Sequence, residues 1–275
     1  MIAVKNKFRA AFRFGRILIL LVGAASDFIF LVWLRGKSSS LPARAHWLQY
    51  WSQRWLRIMN CQVTVRGNPP RGGVLTANHL SYMDVLVLAS IRPFVFVSKA
   101  EVKSWPVVGA YTRCAGTLYL RRQSRSDVVR LGNEMVPVVS AGLVVVLFLE
   151  GTSTNGETLL PFRSSLLAPA EEHGWPASAA WIHYSMKEGS VSDEVCYWGD
   201  MTFFPHILNL FSRESFEAFV NFGEPLAGKL DRKEMALALH HDVQRMKDEY
   251  FAESTVGTSR CDVPARVRAG GANGP

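Results

Sequence analysis

Short apolar runs with the period of β-strands alternate with helical segments along the middle of the chain. Alternating or continuous apolar residues predict eight strands, at 61–67, 72–79, 93–99, 116–122, 142–151, 178–185, 194–201 and 216–226. The fifth, GLVVVLFLEG, is apolar almost throughout, which is typical of a central strand in a parallel sheet. Helical segments lie between several strands, at 83–90, 126–135 and 206–211. Strands that alternate with helices predict an α/β fold with a mostly parallel central sheet flanked by helices.

Capping signals and composition indicate where the predicted domain ends. Pro137 ends the second of these helices, because proline cannot donate the next backbone hydrogen bond. Asp231 and Glu234 form a D-x-x-E capping signal before an amphipathic C-terminal helix. Residues 253–275 are rich in Gly, Ala, Pro and Arg, lack periodicity and are predicted to be disordered. We therefore predict one domain over 43–252.

The N-terminal region, 1–42, has the features of a membrane anchor. Basic residues lie on both sides of an apolar segment at 17–34: Lys5, Lys7, Arg9, Arg13 and Arg16 before it, Arg35 and Lys37 after it. At 1.5 Å per residue this segment measures about 27 Å, just enough to cross the hydrocarbon of a bilayer. Asp27 weakens that interpretation, so a helix embedded in one leaflet is the alternative. A cleaved signal peptide is disfavoured because apolar residues resume at Phe28. The heavier N-terminal basic flank favours that end in the cytoplasm, at an inner membrane.

The predicted domain opens with a tryptophan-rich helical segment at 43–59. Trp47, Trp51 and Trp55 recur at helical spacing, and basic residues occupy the other side. Such a helix either packs on the domain core or lies in the headgroup zone of a membrane. The pattern alone leaves both interpretations open.

Composition and charge narrow the choice of partner. The hydrophobic content is 48% and the net charge is +8, with a mean hydropathy of +0.07 and a pI near 9.5. A basic protein of this hydropathy favours an anionic partner, either a phospholipid surface or a nucleic acid. The basic residues cluster beside apolar and Trp-rich N-terminal segments, not on a strand face with stacking aromatic residues. We therefore expect a lipid bilayer as partner and no nucleic acid.

Cysteine and histidine spacing argue against a metal centre. Cys61, Cys114, Cys196 and Cys261 are far apart in sequence, which predicts free thiols in a reducing compartment. Cys114 is the nearest candidate for an acyl-cysteine intermediate, an alternative we disfavour. No H-E-x-x-H or comparable spacing occurs, so we expect no metal ion.

His79 and Asp84 are the strongest candidates for catalysis. His79 follows the second predicted strand, and Asp84 lies five residues later at the start of a helix. A carboxylate in that position can orient an imidazole whose other nitrogen removes a proton from a hydroxyl group. The alternative is structural, because Ser81-x-x-Asp84 has the form of a capping box. That alternative leaves His79 unexplained.

Two further polar clusters follow predicted strands. Arg121 and Arg122 end the strand GTLYLRR and could form a guanidinium fork for phosphate, or could simply be solvated. Glu150 and Gly151 enter a turn rich in Thr, Ser and Asn, which is either an ordinary polar turn or a loop that grips a polar headgroup.

Together these clusters resemble the glycerolipid acyltransferase family, which includes bacterial 1-acyl-glycerol-3-phosphate acyltransferases. The resemblance runs from about Trp47 to Gly228 and rests on four blocks in the family's order and spacing. The blocks are Asn78-His79-x4-Asp84, Gly116-x-x-Tyr119-x-x-Arg122, Phe148-x-Glu150-Gly151-Thr152 and PFRSSLLAPA. One such block would be weak evidence, whereas four in order are specific.

The resemblance implies an enzyme that moves a fatty acyl chain from acyl-CoA or acyl carrier protein to the free hydroxyl of a lysolipid. It implies His79 as general base, oriented by Asp84, and no cofactor beyond the acyl donor. Arg122, Glu150, Gly151 and Thr152 would hold the acceptor headgroup, and Ala168-Pro169-Ala170 would take the place of a block that lines the acyl region. The alternative is a non-catalytic membrane lipid-binding protein that keeps the same fold.

The chain departs from the family pattern in its third block. Many members read Phe-Pro-Glu-Gly-Thr-Arg, whereas here Leu149 replaces the proline and Ser153 replaces the arginine. The loss of that arginine makes lysophosphatidic acid a less secure acceptor. The sequence EGTSTNG looks more like members that acylate other lysolipids, including lyso-ornithine lipids.

Overall fold

A computed structural model of the chain describes residues 5–34, 36, 40–121 and 125–256. Within these residues seven strands form one sheet in the order β1-β7-β6-β2-β5-β3-β4. The strands are β1 Cys61–Arg66, β2 Gly73–Ala77, β3 Phe94–Lys99, β4 Leu118–Leu120, β5 Val144–Leu147, β6 Ala177–Ser185 and β7 Phe216–Phe222. All neighbouring strands run parallel except β6 and β7. The predicted α/β class and mostly parallel sheet are confirmed.

Helices cover both faces of the sheet. They are α1 Lys7–Asp27, α2 Leu41–Met59, α3 Met83–Ile91, α4 Val108–Cys114, α5 Arg125–Ser140, α6 Ala168–His173, α7 Val191–Glu194, α8 Phe203–Ser212 and α9 Arg232–Val256. Shorter helical turns of other types cover Phe28–Trp33, Ala100–Ser104 and Ser164–Leu167.

The pleat of the strands divides the core into two layers. Leu75 of β2 and Val146 of β5 point to one face and pack with residues of α2, α3 and α8. Their sequence neighbours Val74 and Val145 point to the opposite face and pack with α5, α6 and α9. Successive side chains of a strand alternate between faces, so a continuous apolar run is buried on both sides.

One predicted strand, at 194–201, is not a strand. Val195 and Cys196 are buried in the core, but their segment follows α7 and pairs with no neighbouring strand among the described residues. Its backbone instead forms hydrogen bonds with other segments. The Tyr197 amide donates to the Leu80 carbonyl at 2.8 Å, and the Cys196 carbonyl lies 2.8 Å from Nε2 of His206. The apolar pattern predicted the burial of Val195 and Cys196 correctly, but Trp198 is exposed and the predicted strand is wrong.

Two helix boundaries also differ from expectation. Helix α5 continues through Pro137 to Ser140. Only the hydrogen bond that the residue at 137 would donate is lost, while burial of Met135 and Val138 holds the last turn in place. Helix α9 begins after the predicted cap, in which the Glu234 amide donates to Asp231 at 2.9 Å and the Asp231 amide donates to Glu234 at 2.9 Å. It ends four residues into the segment predicted to be disordered, and 257–275 lie outside the described residues.

The N-terminal segment packs against the domain. Helix α1 begins at Lys7, so Arg13 is part of the helix and its side chain is buried. The Arg13 guanidinium donates to backbone carbonyls at the end of α8, including that of Glu214 at 2.8 Å. Arg9 adds a bond to the Ser212 carbonyl at 3.2 Å. These side chains satisfy carbonyls that a helix end leaves without an intrahelical partner.

Two of the three tryptophans of α2 bond α1, whereas the Trp55 ring lies 6.4 Å from the Phe211 ring of α8. Trp47 donates to the Ala24 carbonyl at 3.1 Å, and Trp51 donates to the Asp27 carboxylate at 2.8 Å. Asp27, which interrupts the apolar segment in sequence, is thus the polar partner of a neighbouring helix. Within the part of the chain that the structure describes, no helix has the length and apolarity needed to cross a bilayer.

Candidate active site

The candidate site lies where β2 and β5 end. These strands are parallel neighbours, with Thr76 opposite Leu147, so the segments that follow them meet at one edge of the sheet. His79 lies just beyond β2, Glu150 lies just beyond β5, and α3 starts at Met83. Ligand sites of open α/β sheets collect at the carboxyl ends of the strands.

His79 and Asp84 form the pair that the sequence predicts. The distance from His79 Nδ1 to Asp84 Oδ2 is 2.7 Å. The Asp84 side chain is fully buried, whereas 23% of the His79 side chain is exposed. Because a carboxylate accepts the bond, Nδ1 carries the proton and Nε2 presents a lone pair. Among the described residues Nε2 has no hydrogen-bond partner, so it can accept a proton from a ligand.

The Asp84 carboxylate is held by three further donors. Its Oδ2 also accepts from the Leu80 amide at 2.7 Å and the Ser81 amide at 3.0 Å. Its Oδ1 accepts from the Tyr184 hydroxyl at 2.7 Å. One oxygen therefore bonds both the capping amide and the imidazole, so the two interpretations of the spacing do not exclude each other. The Ser81 hydroxyl is buried and has no hydrogen-bond partner within the described residues, so the reciprocal half of a capping box is missing.

Two aromatic residues that the sequence did not suggest as site residues complete the surroundings of the pair. Burial raises the pKa of Tyr184 well above its usual value, so this phenol stays protonated and donates to Asp84. The Phe148 ring stacks on the His79 ring, with centroids 4.1 Å apart and planes 20° apart. Phe148 directly follows β5 within the third motif block, so its motif position was a usable signal. Tyr184 gave no local signal, because it comes from β6.

Glu150 is buried beside His79 and bonds backbone amides with both of its carboxylate oxygens. Its Oε1 accepts from the His79 amide at 2.7 Å and its Oε2 accepts from the Leu160 amide at 2.9 Å. The side chain is buried, and burial raises the pKa of the carboxyl group. Both oxygens are thus committed to backbone amides of the protein. These two bonds hold the backbone at His79, and direct contact of Glu150 with a headgroup stays a prediction.

The turn after Glu150 is open to solvent, and the guanidinium of Arg163 packs against it. Gly151 has φ +74°, a conformation that glycine adopts readily, and Thr152 is exposed. A Cβ at Gly151 would lie 2.9 Å from Cζ of Arg163, so the guanidinium rests on this glycine. No carboxylate pairs with Arg163 among the described residues. Arg163 belongs to the fourth motif block, yet we did not predict it as a site residue.

The other predicted residues lie farther from His79 or outside the residues that the structure describes. Arg122 lies outside the described residues. Arg121 is exposed after β4, two strands from β5 but at the same edge of the sheet. Pro169 and Ala170 are buried in the core against α5, on the face opposite α3.

Burial raises the pKa of the Cys114 thiol, which disfavours the reactive thiolate. Within the described residues no cluster of His, Cys, Asp and Glu could hold a metal ion.

The chain is similar in sequence to known acyltransferases. A family model described as Acyltransferase matches residues 61–183. The lyso-ornithine lipid O-acyltransferase of Pseudomonas aeruginosa is 33% identical over 197 residues, which cover 71% of this chain and 76% of that protein. The enzyme of the same name from Rhizobium meliloti is 30% identical over 226 residues, covering 73% and 77%. The 1-acyl-sn-glycerol-3-phosphate acyltransferase of Neisseria gonorrhoeae is 32% identical over 120 residues, covering 44% and 47%.

A solved structure has the same fold. The crystal structure of the 1-acyl-sn-glycerophosphate (LPA) acyltransferase PlsC from Thermotoga maritima aligns with a TM-score of 0.65 and 19% identity, over 90% of this chain and 97% of that one. The fold and the relatives define a transferase of the α/β class. The chain belongs to the acyltransferase family, and the predicted family and enzyme class are confirmed.

Proposed function

We propose that this acyltransferase moves a fatty acyl chain from acyl-CoA or acyl carrier protein to the free hydroxyl of a lysolipid. We place the reaction at the cytoplasmic face of an inner membrane. The observation that carries the proposal is the 2.7 Å bond between His79 Nδ1 and the buried Asp84 carboxylate, on a histidine side chain that is 23% exposed. The names of the relatives support a lysolipid as acceptor.

The chemistry follows from the His79 ring. Nε2 accepts the proton of the lysolipid hydroxyl while the hydroxyl oxygen attacks the carbonyl carbon of the thioester. Asp84 stabilises the imidazolium that forms, and Phe148 holds the ring plane. The tetrahedral intermediate then expels the thiolate, which takes the proton back from Nε2. The products are the acylated lipid and the free thiol, and His79 returns to its neutral form. No covalent acyl-enzyme is formed.

For the acceptor we favour a lyso-ornithine lipid over 1-acyl-glycerol-3-phosphate. The relatives named for the first substrate align over more of the chain. At position 153, where many family members have an arginine, the Ser153 hydroxyl donates to the Tyr197 carbonyl and joins two loops. An ornithine headgroup has no phosphate and does not need a second guanidinium there. Arg163 and Thr152, exposed at the same turn, can contact its carboxylate.

Membrane association is supported by the exposed side of α1. Its large apolar residues point away from the domain, with exposures of 47–84%: Phe8, Phe12, Leu18, Ile19 and Val22. Lys7 and Arg16 are exposed on the same helix and suit anionic headgroups. We propose that α1 lies in one leaflet.

The experiment is an acyl-transfer assay on purified protein, with mass spectrometry of the lipids. Lyso-ornithine lipid and 1-acyl-glycerol-3-phosphate are each supplied with acyl-CoA or acyl carrier protein. We expect His79→Ala to lower turnover by about 10²–10⁴-fold. His241→Ala, an exposed histidine on α9, is the matched control and should act like the parent. Turnover by His79→Ala near the control rate, or no consumption of either lysolipid by the parent protein, would overturn the proposal.

A further inference from the structure

Helix α8 is apolar on its exposed side as well as on its buried side. Phe204 is 73% exposed and Leu208 is 36% exposed, while Leu210 and Phe211 are buried in the core. Nearby, Trp105 and Val107 are 40% and 55% exposed. We name Trp105, Val107, Phe204 and Leu208 the α8 patch. An exposed group of large apolar side chains on one face marks a contact with a lipid or a protein.

Ring contacts link the α8 patch to the candidate active site. The Trp105 ring lies 5.9 Å from the Phe203 ring, which lies 5.7 Å from Phe204 and 5.1 Å from Tyr82. Tyr82 directly precedes α3, the helix that carries Asp84. The α8 patch is therefore connected through Phe203 and Tyr82 to the start of the helix that carries Asp84.

The α8 patch is joined to α1. Arg9 and Arg13 of α1 donate to carbonyls at the end of α8, and Arg13 is buried at this contact. The two helices therefore present their exposed apolar sides as parts of one packed unit. Lys7 and Arg16 are exposed on α1 and therefore belong to the same unit. Their positive charges complement anionic lipid headgroups, whereas an apolar protein surface would offer them no partner.

Val107 of the α8 patch combines a strained backbone with a side chain that is 55% exposed. Val107 has φ +63° and ψ −65°, and valine rarely adopts positive φ because its branched Cβ clashes with the backbone. Such strain persists where the surrounding structure enforces it, often at functional sites.

We propose that the α8 patch inserts into the acyl-chain region of the same leaflet that α1 enters. This inference rests on the proposed function, because it assigns the membrane contact of that enzyme. Two separate contacts, α1 and the α8 patch, set the tilt of the protein, and the second holds His79 next to the lipid from which the acceptor comes.

The test compares Phe204→Ser with Leu237→Ser. Phe204 and Leu237 are both 73% exposed, but Leu237 lies on α9, over the opposite face of the sheet. Binding is measured by co-sedimentation with vesicles of phosphatidylglycerol and phosphatidylethanolamine. We expect Phe204→Ser to weaken binding about tenfold, since burying a phenylalanine in lipid contributes at least that factor. Leu237→Ser should bind like the parent.

A second measurement needs no change at Phe204. Vesicles of brominated phospholipid should quench Trp105, measured as the difference between the parent and Trp105→Phe. Lack of that quenching, or equal vesicle binding by the two serine variants, would refute the insertion. If Phe204→Ser converts a dimer to a monomer in sedimentation velocity without changing vesicle binding, a second copy covers the patch and the inference is wrong.

The two proposals fail differently. If the parent acylates a lysolipid while Phe204→Ser and Leu237→Ser bind vesicles equally, the α8 patch inference fails and the proposed function stands. If the parent acylates no lysolipid but Phe204→Ser alone loses vesicle binding, the proposed function fails and the membrane contact stands.

Discussion

Replacing Asp84 with asparagine separates its capping role from its role beside His79. Asparagine has the same shape, and its amide oxygen can accept from the three donors that now bond Oδ2: the His79 ring and the amides of Leu80 and Ser81. The amide nitrogen then faces the Tyr184 hydroxyl, which can rotate to accept a hydrogen bond. The geometry of the loop should therefore survive, while the negative charge is lost.

The expected magnitudes differ for folding and for catalysis. Hydrogen bonds to a charged group contribute about 1.5–3 kcal/mol each, against about 0.5–1.5 kcal/mol for neutral pairs. Removal of a buried charge offsets part of that loss, so we expect the free energy of unfolding to fall by about 1–3 kcal/mol. Without the carboxylate the imidazolium is not stabilised, and turnover should fall by about 10²–10⁴-fold, or about 3–5 kcal/mol of barrier.

The assay measures kcat for lysolipid acylation together with urea unfolding, for Asp84→Asn and Ser81→Ala. The Ser81 hydroxyl is buried without a hydrogen-bond partner among the described residues. Its removal should change the free energy of unfolding by less than about 1 kcal/mol and leave kcat within about twofold. If Ser81→Ala lowers kcat as much as Asp84→Asn does, the capping interpretation is sufficient and our reasoning about the pair is wrong.

Three further variants test other buried polar side chains, at Tyr184, Glu150 and His206. Tyr184→Phe leaves Oδ1 of Asp84 without its donor and should lower the free energy of unfolding by about 1.5–3 kcal/mol, with a smaller fall in kcat because Oδ2 still holds His79; near-parental urea stability would contradict this. Glu150→Gln should lower kcat with little change in KM, because the buried carboxylate positions the His79 amide; a rise in KM alone would indicate headgroup binding instead. Burial lowers the pKa of His206 below its usual value near 6.5, so the unfolded chain takes up a proton first as pH falls. The stability that neutral His206 provides is present above about pH 6.5 and lost below it, so His206→Gln should show a shallower acid-side decline in urea unfolding.

Local sequence patterns predicted the parts of the site that lie close together in the chain. His79 and Asp84 are five residues apart across a strand end and a helix start, so their proximity follows from one turn. The D-x-x-E cap at Asp231 is equally local and is present as expected. The parallel sheet was predictable because period-2 runs alternate with helical segments.

Features that depend on distant segments were not predictable in this way. Tyr184 reaches Asp84 only because β6 pairs beside β2, an arrangement that no local pattern encodes. Glu150 was predicted as a site residue because it follows the most apolar strand, but its bonds to the Leu160 and His79 amides join separate segments and were not predictable. At 194–196 burial was predictable and strand pairing was not, since core position and hydrogen-bond partner are independent requirements.

The guanidinium of Arg13 makes the N-terminal helix part of the folding unit. A shortened chain that starts after α1, made in the hope of a more tractable enzyme, would lose the donors at the end of α8 and expose Ile17 contacts of the core. Removal or exchange of this helix should therefore destabilise the domain and lead to aggregation.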